Sequence, residues 1–166
     1  MSAHRLLRRS LLLTAGALPL TLIASSSHAD VLCRSVHGHY AEHAVSSGCT
    51  SPVGLCIAGD YAGSIRGPFA GQANTIVPTA DTAATAVALF TSDSHIDANV
   101  RGRTGTLLIK NAGAFRGAGE GSIVDLQTIV GGTGQLAGAS GDLRAQGVFS
   151  FATGGESDYE GTLCLP

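Results

Sequence analysis

Short apolar runs separated by glycine and proline make up most of the chain, and they have the length and alternation of β-strands. The clearest pair spans residues 123–151, where strands over 123–130 and 142–151 flank a turn containing Gly131, Gly132, Gly134, Gly138 and Gly141. Glycine reaches backbone angles closed to other residues, so this spacing predicts a defined bend. Further strands are predicted at 53–61, 73–77, 85–90, 95–101, 104–110 and 157–165, with a weak strand or bend at 65–71. About eight strands with short turns indicate an all-β domain, either a barrel or a sandwich.

In three segments, 81–89, 85–90 and 111–121, the residue pattern departs from simple strand alternation. Alanine is frequent over 81–89, which makes a helix the competing interpretation, but Thr82, Thr85 and Val87 are β-branched and favour a strand. The run at 85–90 is nearly all apolar, which predicts burial on both faces, one in the domain and one against a neighbour or partner subunit. The glycine-rich segment 111–121 is predicted to be a turn.

The segment 95–101 alternates cleanly, and its polar face consists of His95, Asp97, Asn99 and Arg101. If that face points into a barrel, it places an acid, a base and a cation in a low-dielectric cavity, where they could orient or protonate a polyene or an epoxide. The alternative is that the same face meets solvent, because a register change of one residue reverses inside and outside. These four residues are the candidate catalytic residues.

The turn after the strand at 123–130 also carries a family resemblance. The block Ile129-Val130-Gly131-Gly132-Thr133-Gly134, followed by Leu136, Gly138-Ala139 and Gly141, resembles the signature of the allene oxide cyclase and dirigent barrel superfamily, and fits its small secreted bacterial members best. Leu136 stands where the plant proteins usually have phenylalanine. The resemblance extends from Gly54 to the C-terminus, but only the block from Ile129 to Gly141 is specific.

The resemblance implies an eight-stranded antiparallel barrel with an apolar cavity, often in a homo-oligomer. We therefore predict a barrel domain over 53–166, preceded by a disulfide-pinned N-terminal arm over 30–52. Members of the superfamily include cyclases and proteins that steer a coupling reaction. The implied function is binding of a small hydrophobic molecule. The resemblance further suggests allene oxide cyclase-like isomerase or cyclase activity, or coupling-steering activity; such chemistry requires at least two convergent ionisable groups in the lumen. The alternative is a non-catalytic structural or surface-interaction oligomer with a filled barrel.

Residues 1–29 are predicted to be a secretory signal peptide. Arg5, Arg8 and Arg9 form a basic segment, residues 11–23 are apolar, and cleavage is predicted after Ala29. Paired arginines also match a twin-arginine export signal. The apolar run is too short for a stable membrane span, which needs about 20 apolar residues. Without the signal, seven basic residues face twelve acidic ones, for a net charge of −5. This charge argues against nucleic acid as a partner.

Four cysteines lie beyond the predicted cleavage site, and in an exported protein an even number predicts two disulfides. Four cysteines allow three pairings. We favour Cys33–Cys49, which ties the arm to itself, and Cys56–Cys164, which joins the first and last strands as neighbours in a closed barrel. A metal site of Cys33, His37, His39 and Cys49 matches no zinc spacing, so no metal and no cofactor are predicted.

Familiar catalytic patterns do not fit. Gly132-x-Gly134-x-x-Ala137 formally matches a dinucleotide fingerprint, but Gly138 and Gly141 stop the helix which that motif requires. Ser94, His95 and Asp97 cannot form a triad, because adjacent strand residues point to opposite faces. Weaker candidates are Asp60 and Glu160, together with Tyr61 and Tyr159, which we expect to pack across the closing seam.

Overall fold

The computed structural model describes residues 30–79, 87–116 and 120–166, and within them it is an all-β protein. The predicted signal peptide, 1–29, lies outside the described residues, as does most of the segment with the competing helix interpretation. The elements are β1 (Leu32–Val45), β2 (Cys56–Gly63), β3 (Gly67–Pro78), β4 (Val87–Val100), β5 (Arg103–Arg116), β6 (Glu120–Gly132), a 3₁₀ turn (Gly134–Leu136), β7 (Ser140–Ser150) and β8 (Gly154–Leu165). No helix in these ranges is long and apolar enough to cross a membrane.

The strands form a closed barrel in sequence order, which confirms the predicted eight-stranded antiparallel barrel. Closure is made by β1 and β8, which pair from Leu32 opposite Leu165 to Glu42 opposite Gly155. Residues 30–52 are therefore not an arm outside the barrel, because most of them form β1. The expectation failed because histidine and glycine hide the period of two on β1, where Val36 and Tyr40 are buried among exposed neighbours.

Several strands are longer than the sequence predicted. The segments 65–71 and 73–77 belong mainly to β3, and 87–90 and 95–100 are parts of the single strand β4. Of the turn predicted at 111–121, residues 111–116 are the end of β5 and 120–121 the start of β6, and Gly113 is required by close packing. A Cβ at Gly113 would meet the backbone oxygen of Val124 on β6 and lie 2.6 Å from Cζ of Phe90 on β4. The glycine therefore makes room for an aromatic ring and does not mark a turn.

The glycine turn between β6 and β7 forms where the sequence predicted it. Gly134 and Gly138 have φ values of 58° and 77°, in the left-handed region that favours glycine. The turn is closed by backbone hydrogen bonds from Leu136 N to Thr133 O at 3.0 Å and from Ala139 N to Leu136 O at 3.0 Å. It folds Leu136, which is fully buried, under the barrel.

All four cysteines form disulfides, but the favoured pairing was wrong. The bridges are Cys33–Cys164, with Cα atoms 3.9 Å apart, and Cys49–Cys56, with Cα atoms 5.5 Å apart. One bridge does join the first and last strands, as expected. Since the first strand starts at Leu32, Cys33 and not Cys56 lies opposite Cys164. Two disulfides are consistent with an oxidising environment.

The barrel interior is divided along its axis. We call the end that holds Leu32 and Leu165 the lower end, and the end that holds Val45 and Gly154 the upper end. The lower half is packed with aliphatic side chains, among them Ile65, Ile96, Leu107, Leu136 and Leu143, each fully buried. The upper half holds a smaller aromatic cluster that includes Phe115 and Phe149. Polar side chains lie between the two clusters.

Candidate functional site

Two carboxyl groups point into the middle of the barrel. Glu42 lies on β1 and Asp125 on β6, two strands separated by β7 and β8 on one side of the barrel. Their exposed fractions are only 7% and 8%. Glu42 Oε1 and Asp125 Oδ1 are buried oxygens without a hydrogen-bond partner among the described residues. Buried polar oxygens are normally paired, so both atoms are available to a ligand.

The second oxygen of Asp125 belongs to a hydrogen-bonded chain across the lumen. Tyr61 Oη donates to Gln127 Oε1 at 3.0 Å, and Gln127 Nε2 donates to Asp125 Oδ2 at 3.1 Å. Tyr40 stacks on Tyr61 with ring centroids 4.8 Å apart, and Phe69 meets both rings edge-on. The network fixes the orientation of Asp125 while its other oxygen stays unpaired.

These groups line one pocket in the upper half of the barrel, with a volume of about 60 Å³. Above the carboxyls its wall is largely aromatic, with Phe90, Phe115 and Phe149. Asn111 adds an amide, which donates from Nδ2 to Ser94 Oγ at 3.0 Å. The volume is about four to six times the roughly 10–15 Å³ that one water molecule needs. The pocket therefore suits a small polar head, with the aromatic rings beyond it.

Burial raises the pKa of both carboxyl groups to about 7. For Glu42 the cause is loss of hydration. For Asp125 the same loss is the largest cause, the hydrogen bond from Gln127 opposes it, and the nearby charge of Glu42 raises the pKa further. Burial and the two carboxylates also raise the pKa of the Tyr40 and Tyr61 phenols, which therefore stay protonated.

This arrangement can exchange protons near neutral pH. A carboxyl group with a pKa of about 7 is populated in both forms there, so one of the pair can donate a proton while the other accepts one. The lumen therefore meets the condition set for cyclase-like chemistry, namely two convergent ionisable groups.

The sequence-based candidates do not enter this pocket. The alternation on β4 is real, since Ile96, Ala98 and Val100 are buried, but its polar face points outward. His95, Asp97 and Asn99 are exposed on the outer surface, and Arg101 lies in the turn after β4. The inward orientation that their catalytic role required is not found.

Two of those outer residues stabilise the β4–β5 hairpin. Asn99 Oδ1 accepts a hydrogen bond from Gly102 N at 2.9 Å, and Asp97 Oδ1 accepts one from Thr106 Oγ1 at 3.0 Å. Their polar groups satisfy the turn and the neighbouring strand. These contacts give the two residues a structural role.

The weaker candidates divide by face. Asp60 and Glu160 are exposed on the outside of the barrel. Tyr61 and Tyr159 are buried and in ring contact, with centroids 5.3 Å apart, as expected. Within the described ranges, no group of three or more histidine, cysteine or acidic side chains is arranged to hold a metal ion.

Sequence reasoning missed Glu42 and used Asp125 only as part of a strand pattern. Glu42 lies in the stretch interpreted as an arm, yet it shares the buried face of β1 with Val36 and Tyr40 at a period of two. On β6, Asp125 and Gln127 alternate with outward-facing aliphatic residues. Asp125 and Gln127 share the face of Ile123, and two polar residues on a buried face were the signal that could have indicated a site in the lumen.

The fold and the site define a closed antiparallel β-barrel with an acidic, aromatic-lined pocket in its lumen. The chain belongs to the family described as "Protein of unknown function (DUF3224)", whose model matches residues 42–163. This range starts at Glu42 and includes Asp125.

Among solved structures, the chain is similar to the pterocarpan synthase dirigent protein GePTS1. The similarity covers 83% of this chain and 87% of that chain, with 16% sequence identity and a TM-score of 0.35. Similarity at this level carries no argument about activity. No curated protein matches the chain.

Proposed function

We propose that this protein is an exported β-barrel that binds a small, largely apolar molecule in the upper half of its lumen and exchanges a proton with it. The observation that carries the proposal is the pair of buried carboxyl groups, Glu42 and Asp125, each with an unpartnered oxygen in the same pocket. Leaving a buried acceptor unpaired costs about 1–3 kcal/mol, and a ligand that donates to it recovers that cost.

The rest of the pocket supports a ligand that is apolar away from the carboxyls. Phe90, Phe115 and Phe149 offer rings and no hydrogen bonds, while the polar groups lie deeper, toward the middle of the barrel. Ligand sites commonly combine apolar walls with a few placed polar groups. The proposed reaction class is proton transfer in an isomerisation or cyclisation, with the barrel holding the substrate in shape.

Native mass spectrometry of the oxidised protein from its natural host tests the proposal. We expect a reproducible non-covalent adduct in the wild type, and its loss in the double variant Glu42→Gln/Asp125→Asn. Glu156→Gln is the matched control, because Glu156 is an exposed carboxyl on β8. The proposal fails if the double variant retains the adduct, or if none of the three proteins carries one.

A second candidate is a structural or surface-interaction role, and the outer surface favours it. Leu89, Val124 and Leu126 are about half exposed, at 49%, 45% and 53%. Ala114 lies between Leu89 and Val124 in the sheet, so these side chains form a continuous apolar strip. Exposed apolar patches commonly mark interaction sites. In the same mass spectra, an oligomer that Leu126→Glu abolishes and Ala41→Glu, on the outer face of β1, leaves intact would support this role.

A further inference from the structure

We propose that the lumen ligand is a small organic cation, a primary ammonium with an apolar tail, whose nitrogen lies between Glu42 and Asp125. This inference rests on the proposed function and adds the chemical class of the ligand. It starts from the balance of donors and acceptors in the pocket.

The pocket offers acceptors where a ligand would bind. Glu42 Oε1 and Asp125 Oδ1 are unpartnered on side chains more than nine-tenths buried. The amide NH₂ groups of Asn111 and Gln127 each donate one hydrogen bond within the protein, to Ser94 Oγ and Asp125 Oδ2 respectively. A primary ammonium has three donors and no acceptor, so it has a donor for each of the two unpartnered oxygens.

Charge favours the same class. No arginine, lysine or histidine lines the described part of the pocket, so nothing there neutralises the two carboxylates. An anionic ligand would add negative charge to a buried acidic site, whereas an ammonium offsets the charge of a deprotonated carboxyl group.

The aromatic wall also suits a cation. Tyr40 and Tyr61, whose rings stack on each other, line the pocket together with the carboxyls, and Phe90, Phe115 and Phe149 line the space above them. Ring faces attract cations and accommodate an alkyl or aryl tail. A pocket of about 60 Å³ holds the head group and only a short tail.

Four titratable groups face this site: Tyr40 and Glu42 from β1, Tyr61 from β2 and Asp125 from β6. Strands β3, β4, β5 and β7 contribute no ionisable side chain to its described lining. Of the four, the two carboxyl groups have a pKa of about 7. A cation binds preferentially to the deprotonated forms of the two carboxyl groups. At pH 7 its binding should therefore release about one proton per ligand bound.

The test compares three ligands with the same carbon chain and different charge: butylammonium, 1-butanol and butyrate. Titrations followed by NMR at pH 6 and pH 8 measure affinity, and calorimetry in two buffers of different ionisation enthalpy measures proton release. We expect butylammonium to bind most tightly, to bind on the order of a hundredfold more tightly at pH 8 than at pH 6, and to release protons at pH 7. Butyrate should bind most weakly at pH 8.

Variants separate the site from the ligand class. Glu42→Gln and Asp125→Asn should each weaken butylammonium binding at pH 8 by about tenfold or more, as for loss of a charged hydrogen bond, while Glu156→Gln should not change it. A melting curve at pH 6 shows whether each variant is folded.

The outcomes distinguish the two proposals. Binding of 1-butanol or butyrate as tight as that of butylammonium at pH 8, with the same sensitivity to Glu42→Gln, would keep the lumen site and overturn the ammonium class. Absence of binding by all three ligands to the folded wild type would overturn the ammonium class and also remove support for the lumen site itself.

Discussion

The two buried carboxyl groups make a quantitative prediction about stability and pH. Burial raises the pKa of Glu42 from 4.5, and that of Asp125 from 3.8, to about 7. At pH values between the unfolded and the folded pKa, Glu42 and Asp125 keep their protons in the folded protein and lose them in the unfolded chain. Stability is therefore fully present at low pH and is lost as pH rises through about 7.

The magnitude follows from about 1.4 kcal/mol for each pKa unit. Between pH 5 and pH 8, each carboxyl group should reduce the free energy of unfolding by about 2 to 3 kcal/mol, and the two together by about 5 kcal/mol. This is a large part of the stability of an ordinary domain, which is about 5–15 kcal/mol. The tyrosine phenols in the lumen do not contribute in this range, because burial raises their pKa further above it.

Urea unfolding at pH 5, 6, 7 and 8 measures this slope directly. Glu42→Gln and Asp125→Asn should each remove about half of it, and the double variant should show a flat profile and exceed the wild type in stability at pH 8. Glu156→Gln, at an exposed carboxyl, should follow the wild type. A wild-type profile that is flat or rises from pH 5 to pH 8 would refute the reasoning, as would a double variant that gains nothing at pH 8.

Three further predictions concern the frame that holds the site. Removing the disulfide between β1 and β8 with Cys33→Ser/Cys164→Ser should lower the free energy of unfolding by about 5 kcal/mol, because this bridge closes a loop with a sequence separation of 131. Removing the other disulfide, with a separation of 7, should lower it by only about 2 kcal/mol. Equal losses measured by urea unfolding would contradict this. Tyr159 Oη accepts from Ile65 N at 2.9 Å, so Tyr159→Phe should lose about 1–3 kcal/mol by thermal unfolding, and no loss would refute the assigned contact. Gly113→Val should lower the melting temperature by several degrees because the side chain would clash with the backbone oxygen of Val124 and with the ring of Phe90; an unchanged melting temperature would refute this close packing.

Much of the architecture could be predicted from local sequence. The glycines of the β6–β7 turn are needed at positive φ, and that requirement depends on the backbone alone, so the sequence identifies it. Strand positions were also predicted where alternation is clean, as at Ile96, Ala98 and Val100 on β4. The closed barrel was predicted from the family resemblance, because alternation by itself fits a sandwich equally well.

The failures have a common physical cause. Cys33 was paired with the wrong partner because β1 was not identified as a strand, and disulfide pairing depends on which strands become neighbours. The sequence left open whether His95 and Asp97 face the lumen, because a period of two shows that residues share a face and does not show which face is inside.

The sequence by itself determined which residues share a face, where the β6–β7 turn lies and that the cysteines are paired, since these depend on covalent geometry and residue type. Only the tertiary structure decided that Glu42 and Asp125, 83 positions apart in the sequence, face the same pocket. Burial raises the pKa of both groups, and the charge of Glu42 raises that of Asp125 further; both conditions exist only once the barrel has closed.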